Sequence, residues 1–319
     1  MGIKLDLKDR KIIYQLDLNA RQSNAEIAKK VRLSKDAVGY RIKKLEELGI
    51  IRGYKTIIDS SRLGYLFYRV FFNLMDLQPA KLEALIDFLK KQKNVWWIAK
   101  LDGSWNFAFA IWVKSNKEFN KFYHTFGLKF RQNVKERLIC PVVLYKNLSK
   151  KYLLETRNEV KITTVGEGEK QNFDQTDFKI LKSLAENART PLIDIAHELK
   201  LDSMTIHHRI KKLENKEIIQ GYKVDLDTRK LGRDFYSVKI NLRDLSKTKE
   251  IKDYILTIPE VTATTEAIGS YDIEFDLEVE NSEKYFQILE EIETKFEFIR
   301  DVIYFRVLKN YKILYLPEI

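Results

Sequence analysis

The side chains that could do chemistry fall into two short stretches resembling one another. Ser34, Lys35 and Asp36 precede Gly39, Tyr40, Lys43 and Lys44 in the first; Ser203 and Met204 precede His207, His208, Lys211 and Lys212 in the second. Lysines neutralise phosphates, and Tyr, His and Lys offer donors to base edges, so the chemistry these residues suit is recognition of a polyanion. Covalent chemistry finds no foothold. There is no nucleophile motif, phosphate-binding glycine loop or constellation of paired carboxylates. No two of His124, His197, His207 and His208 have the helical i, i+4 spacing of a zinc site, and Cys140 is alone. That leaves no internal disulfide and no cysteine metal cage. No metal and no cofactor are expected, and the chain reads as a binder, not an enzyme.

Both stretches sit in elements that occur twice. With Leu5 laid on Phe173, a shift of 168 residues, about sixty positions align without a gap and roughly two in five are identical. Asn19, Ala20 and Arg21 fall on Asn187, Ala188 and Arg189; Arg41 to Glu46 fall on Arg209 to Glu214. In the first copy, Asp6 with Asp9 predicts a helix start, Ser23 with Glu26 a capping box, and Ser34 the cap of a third helix with Val38, Ile42 and Leu45 on its buried stripe. Three short helices with a tight turn before the last predict a helix-turn-helix, and the β-branched run Ile50 to Lys55 predicts the start of a wing. At 100° per residue, Asp36, Gly39, Tyr40 and Lys43 lie opposite the buried stripe, with Lys35 and Lys44 at its margins. The second copy presents Met204, His207, His208 and Lys211 there. A glycine at position 39 costs the helix roughly 1 kcal/mol against alanine, which suits a close approach to the backbone.

Each helical unit precedes a segment of different period. Strand, helix, two strands around Asp102 and Gly103, helix, strand is the order from Tyr65 to Tyr145, and it recurs from Phe235 to Leu308. The order βαββαβ predicts a ferredoxin-like sheet with both helices on one face. The expected fold class is therefore α+β: a helix-turn-helix unit at 1–64, a ferredoxin-like unit at 65–150, a linker at 151–172, a second helix-turn-helix unit at 173–233 and a second ferredoxin-like unit at 234–319. Trp96, Trp97, Trp105 and Trp112 read as sheet packing.

Charge separates the copies. Residues 1–64 carry +7 and 65–150 carry +9, whereas 173–233 carry +2 and 234–319 carry −7, within a net charge of +11. A basic first half suits a nucleic acid. No apolar run approaches the roughly 18 residues that cross a bilayer, and the N-terminus lacks a signal-like stretch, so a cytoplasmic protein without membrane contact is expected.

Taken together, the Asp-rich starts at Asp6 and Asp174, Asn-Ala-Arg, Arg-Ile-Lys-Lys-Leu-Glu, Ile-Ile-x-Gly-Tyr-Lys and the repeated Leu63-Gly64 and Leu231-Gly232 resemble the leucine-responsive/AsnC, or feast/famine, family of transcriptional regulators. The resemblance covers nearly the whole chain and implies two tandem units, each a winged helix-turn-helix followed by a ferredoxin-like effector domain. It implies double-stranded DNA as partner, with Lys35, Lys44 and Arg52 on phosphates and Tyr40, Lys43, His207, His208 and Lys211 on bases. It also implies an amino-acid effector held by a Gly-x-aromatic-Asp loop. That loop is Gly269, Ser270, Tyr271, Asp272 in the second copy and Gly103, Ser104, Trp105, Asn106 in the first, where the acid is lost. Family members pair through their sheets, and the charge split predicts that unlike halves pair, either as an intramolecular pseudo-dimer or across chains, open to further homo-oligomerisation. Siroheme decarboxylases resemble the same two-domain unit and stand as the alternative, with a weakly specific architectural DNA binder as a third.

Overall fold

The computed structural model describes residues 5–75, 78–154, 161–166, 168–269 and 271–317. The first copy opens with α1 (Leu7–Leu18), α2 (Asn24–Val31) and α3 (Lys35–Glu47). Asp6 and Ser23 accept from the amides of Asp9 and Glu26 in full capping boxes, and the Ser34 side chain accepts from the Ala37 amide. These bonds satisfy amides that a helix start leaves orphaned. Then come β1 (Ile51–Ile58), β2 (Leu66–Leu74), α4 (Pro79–Lys90), β3 (Val95–Gly103), β4 (Phe107–Val113), α5 (Asn116–Phe130), β5 (Val134–Leu148) and β6 (Ile162–Val165). The second copy repeats this with α6 (Gln175–Glu186), α7 (Leu192–Leu199), α8 (Ser203–Asn215), β7 (Ile219–Leu226), β8 (Asp234–Leu242), α9 (Thr248–Ile255), β9 (Val261–Ala267), β10 (Ile273–Val279), α10 (Ser282–Lys295) and β11 (Ile299–Ile313). Among the described residues no helix is long and apolar enough to cross a membrane.

The duplicated motifs are braces within each helical unit. Arg41 reaches back to Asp6 at 2.7 Å and Asp9 at 2.6 Å, and Arg209 repeats the clamp on Asp174 at 2.8 Å and Asp177 at 2.7 Å. Glu46 accepts from the Tyr54 hydroxyl at 2.6 Å, and Glu214 from the Tyr222 hydroxyl at 2.7 Å. Each clamp sets the third helix at a fixed angle to the first, so the exposed face of the third helix points away from the unit.

The sheets close on one another. Strands run β2-β4-β3-β11-β8-β10-β9-β5, and β5 pairs again with β2, making a ring of eight. Within it, β5-β2-β4-β3 is the ferredoxin-like sheet of the first copy and β11-β8-β10-β9 that of the second. The seams β3–β11 and β5–β9 join one copy to the other, all antiparallel. Period-2 alternation then sorts the side chains. Tyr68, Val70 and Phe72 face outward onto Leu85 and Leu89 of α4 and Phe126 of α5, whereas Phe71, Ala99, Leu101, Ala108, Cys140 and Phe305 form a separate cluster inside. Val238, Phe275 and Leu277 likewise face Ile251 of α9 and Ile288 of α10.

One expectation changes and another gains a partner. Part of the segment read as linker is a strand: β6 pairs with β5 from Tyr145 to Leu148, extending the sheet beyond the ring, while residues 155–160 and 167 lie outside the described residues. The run from Ile51, expected to start a wing, forms a strand. β1 pairs along its length with β7 of the other copy. An alternating β-branched segment specifies a strand but carries no record of its partner, and here the partner lies 168 residues away.

Candidate nucleic-acid interface

The two heads are clasped together by residues repeated in the sequence. The Ala20 amide donates to the Tyr222 carbonyl at 3.0 Å and the Ala188 amide to the Tyr54 carbonyl at 2.9 Å. Arg21 donates to the Ala188 carbonyl at 2.6 Å and lies over the Tyr222 ring; Arg189 lies over the Tyr54 ring. Burial, then the bond to the acid on the third helix, pushes both phenols up, so they stay neutral donors. Asn-Ala-Arg and Gly-Tyr-Lys are thus the two faces of one joint. Their function was missed in sequence, although their exact repetition was the signal available.

A buried lysine ties the joint to the strand ring. Buried Lys223 of β7 donates to the Leu148 carbonyl at 2.7 Å and Asn147 Oδ1 at 3.1 Å, and pairs with Asp17 of α1 at 3.4 Å. Burial pulls its ammonium down to about 8 against the pull of Asp17. Asp17 corresponds to Ala185, and the counterpart Lys55 instead lies over the Tyr315 ring.

Beyond the joint lie the two exposed helix faces. On α3, Ser34, Lys35, Asp36, Tyr40, Lys43 and Lys44 are exposed, Tyr40 at 69%. On α8, Met204 is 62% exposed and His207, His208, Lys211 and Lys212 lie beside it, with Ser203 half-buried at the helix start. The residue caught by Gly39 is internal: a Cβ there would stand 3.2 Å from Asn24 Nδ2, and Asn24 accepts from Arg189 of the other copy at 3.1 Å. Arg52 pairs with Asp225 on β7 at 3.0 Å, at the joint rather than on the α3 face.

The heads differ electrostatically at matched positions. The α3 start is capped by neutral Ser34, and its first turn carries Lys35 beside Asp36. The α8 start is capped by Asp202, which accepts from the Thr205 amide at 2.8 Å and places a negative charge there. Lys211 is held by Glu214 at 2.7 Å, while Lys43 and Glu47 are 3.9 Å apart.

The effector loops lie inside the seams. Ser104 donates its amide to the Tyr304 carbonyl at 3.0 Å, and Ile268 to the Pro141 carbonyl at 2.9 Å. Asn106 exchanges two 2.8 Å bonds with the backbone of Leu74, and Asp272 accepts from the Leu242 amide at 2.7 Å. Each side chain therefore staples its hairpin to the end of a neighbouring strand. Trp105 stands 6.2 Å from Phe71, and the Tyr271 ring 5.4 Å from Lys239. Gly103 and Gly269 hold positive φ of 117° and 70°, and Ser270 lies outside the described residues. Trp96 and Trp112 stack at 5.3 Å, and Trp97 donates to Asn310 across the seam at 2.9 Å. Those tryptophans pack the sheet.

Residues 5–52 and 173–220 each match a family described as winged helix-turn-helix DNA-binding. The HTH-type transcriptional regulator LysM of Sulfurisphaera tokodaii is 37% identical over 102 residues, which span 32% of this chain and 71% of that protein. The chain belongs to the leucine-responsive/AsnC family of DNA-binding transcriptional regulators. Regulatory protein AsnC of Haemophilus influenzae is 35% identical over 103 residues, 31% of this chain and 63% of its own length. This leucine-responsive/AsnC-type chain carries the unit twice. Its whole length is matched by the siroheme decarboxylase NirDL, with a TM-score of 0.65 over 97% of this chain and 94% of that one. At 15% identity that likeness is one of fold alone.

Proposed function

We propose that this regulator reads DNA with two non-identical heads, the first carrying most of the affinity. Lys35, Lys44 and the opening amides of α3 hold phosphates, with Tyr40 and Lys43 on base edges. His207, His208 and Lys211 read a second, different half-site. The observation behind this reading is that the arginine clamps on α3 and α8 are kept while Asp36, Gly39 and Tyr40 on the exposed face of one become Met204, His207 and His208 on the other. Selection of bound genomic fragments at moderate salt tests it. Tyr40→Ala with Lys43→Ala should relax one half of an enriched motif and His207→Ala with His208→Ala the other. A motif with strict twofold symmetry, relaxed equally by both variants, would sink it.

We further assign amino-acid sensing to the second loop alone. Asp272 accepts from the Leu242 amide with one oxygen and is the acid an α-ammonium would pair with, whereas Asn106 has no acid to offer and is bonded at both ends. Calorimetric titration with a panel of amino acids should give one site per chain, lost in Asp272→Asn; two equal sites would refute the assignment. Action by binding and not by catalysis fits the lone effector-domain histidine, His124, which is exposed on α5 on the outer side of the sheet. Specific uptake of an iron tetrapyrrole by the purified protein would overturn this.

A further inference from the structure

The charge difference between the halves is concentrated where the chain can least afford a mistake, inside the strand ring. Facing inward along β10 are Glu274, Asp276 and Glu278; the matched positions on β4 are Ala108, Ala110 and Trp112. Facing inward on β8 is Lys239, fully buried, where β2 has Phe71. The second sheet thus lines half the ring with three carboxylates and one ammonium. The first sheet answers with cations: Arg69 of β2 meets Glu274 at 2.5 Å, and Lys150, just beyond β5, meets Glu278 at 2.5 Å. Tyr152 donates to the same Glu278 at 2.5 Å, and Lys239 pairs with Glu274 at 2.5 Å under the rings of Phe71, Tyr271 and Phe305. On the exposed outer face of the seam, apart from these buried pairs, Arg306 of β11 pairs with Asp102 of β3.

We infer that these buried ion pairs are a selection device: each effector sheet can close a ring only with the unlike sheet, so the chain is built to exclude pairing of like halves. Two second sheets facing one another would enclose six carboxylates with two lysines and no Arg69 or Lys150. Two first sheets would bury two Arg69 guanidiniums opposite alanines. An ion stripped of its partner inside a protein is strongly disfavoured, while the same ion paired and hydrogen-bonded is tolerated. Register and partner choice are the uses for which buried ionic groups are best suited. Seam geometry points the same way. Pro141 faces Ile268, the counterpart of Asp102, so pairing of two first sheets would set Asp102 against Pro141 and lose Arg306. A consequence, resting on the DNA reading proposed above, is that the order of the two heads is fixed and each bound chain has a direction.

Disulfide trapping on the full chain tests this without DNA. Asp102→Cys with Arg306→Cys places thiols on facing residues of the unlike seam; Asp102→Cys with Pro141→Cys reports only on like first sheets brought together from two chains. After refolding at high concentration and oxidation, the first variant should close within one chain, and the second should stay monomeric on non-reducing gels. Arg69→Glu added to each reporter should cut the first product and raise the covalent dimer of the second, on the order of tenfold. Restoring complementarity with Glu274→Arg should return both toward their starting levels, which separates partner choice from simple misfolding. Abundant covalent dimer from the Asp102, Pro141 reporter in the otherwise native chain, or indifference of both reporters to Arg69→Glu, would overturn the inference.

Discussion

Asp276→Asn should stabilise this protein at neutral pH and do nothing in acid. Asp276 is half-buried on the inward face of the strand ring; lost hydration pushes its carboxyl up from 3.8 to about 6, with the Ser237 hydroxyl, Arg69 and Lys239 pulling against that rise. A carboxyl raised on folding binds its proton more tightly in the native state than in the unfolded chain. Its contribution is fully present below the unfolded value and is lost as pH climbs through the folded one. At roughly 1.4 kcal/mol per pK unit, the displacement amounts to about 3 kcal/mol lost by pH 7.5. Asparagine keeps the shape and an acceptor for Ser237 but has no charge to bury. The variant should therefore gain up to about 3 kcal/mol at pH 7.5, about half of that at pH 5, and close to nothing at pH 3.5. Urea unfolding followed by tryptophan fluorescence suits the measurement, because Trp96, Trp97, Trp105 and Trp112 all lie in or beside the strands of the first effector sheet. Taking the variant against the parent at each pH cancels every other titrating group. A gain that is the same at pH 5 and 7.5, or a loss at 7.5, would refute the reasoning.

Other outcomes follow from the joints and seams. Gly103→Ala combines a φ of 117° with a Cβ placed 2.6 Å from the Tyr304 carbonyl oxygen, and should cost about 2–4 kcal/mol by thermal or urea unfolding; Gly53→Ala, with open space around it, should stay within about 0.5 kcal/mol. Arg21→Ala with Arg189→Ala removes both lids of the head joint, and should raise amide exchange in β1 and β7 and weaken binding to a full site more than to an isolated half-site. Lys35→Ala and Lys44→Ala should each flatten the log–log dependence of DNA affinity on salt by about 1, whereas Lys211→Ala, a base-edge lysine already paired to Glu214, should change it less.

What the sequence made legible was local. Caps at Asp6, Ser23 and Ser34, the buried stripe of Val38, Ile42 and Leu45, and the exposure of Tyr40 all follow from spacing within a turn or two of helix. The strand order of each half was legible too, since turns and periodicity mark it. What stayed hidden was long-range: that β1 finds β7, that β6 extends the sheet, and that Gly39 makes room for Asn24 of its own chain. Net charge indicated that unlike halves should attract, but not that Glu274, Asp276 and Glu278 point inward. Only the register of β10 decides which face of a strand its acids occupy, and a one-residue slip would have put all three outside.

The ring of eight strands has a cost paid in time. The first effector sheet, ending at Leu148, is synthesised 165 residues before its partner is complete at Ile313. Until β9 and β11 arrive, its edges β3 and β5 stand unpaired and its inward face, with Phe71, Ala99, Leu101 and Ala108, is open to water. Exposed edges and apolar faces are what other nascent chains and chaperones bind. Arg69, waiting on that face for an acid not yet made, keeps the half-finished protein from closing on a copy of itself emerging from the neighbouring ribosome.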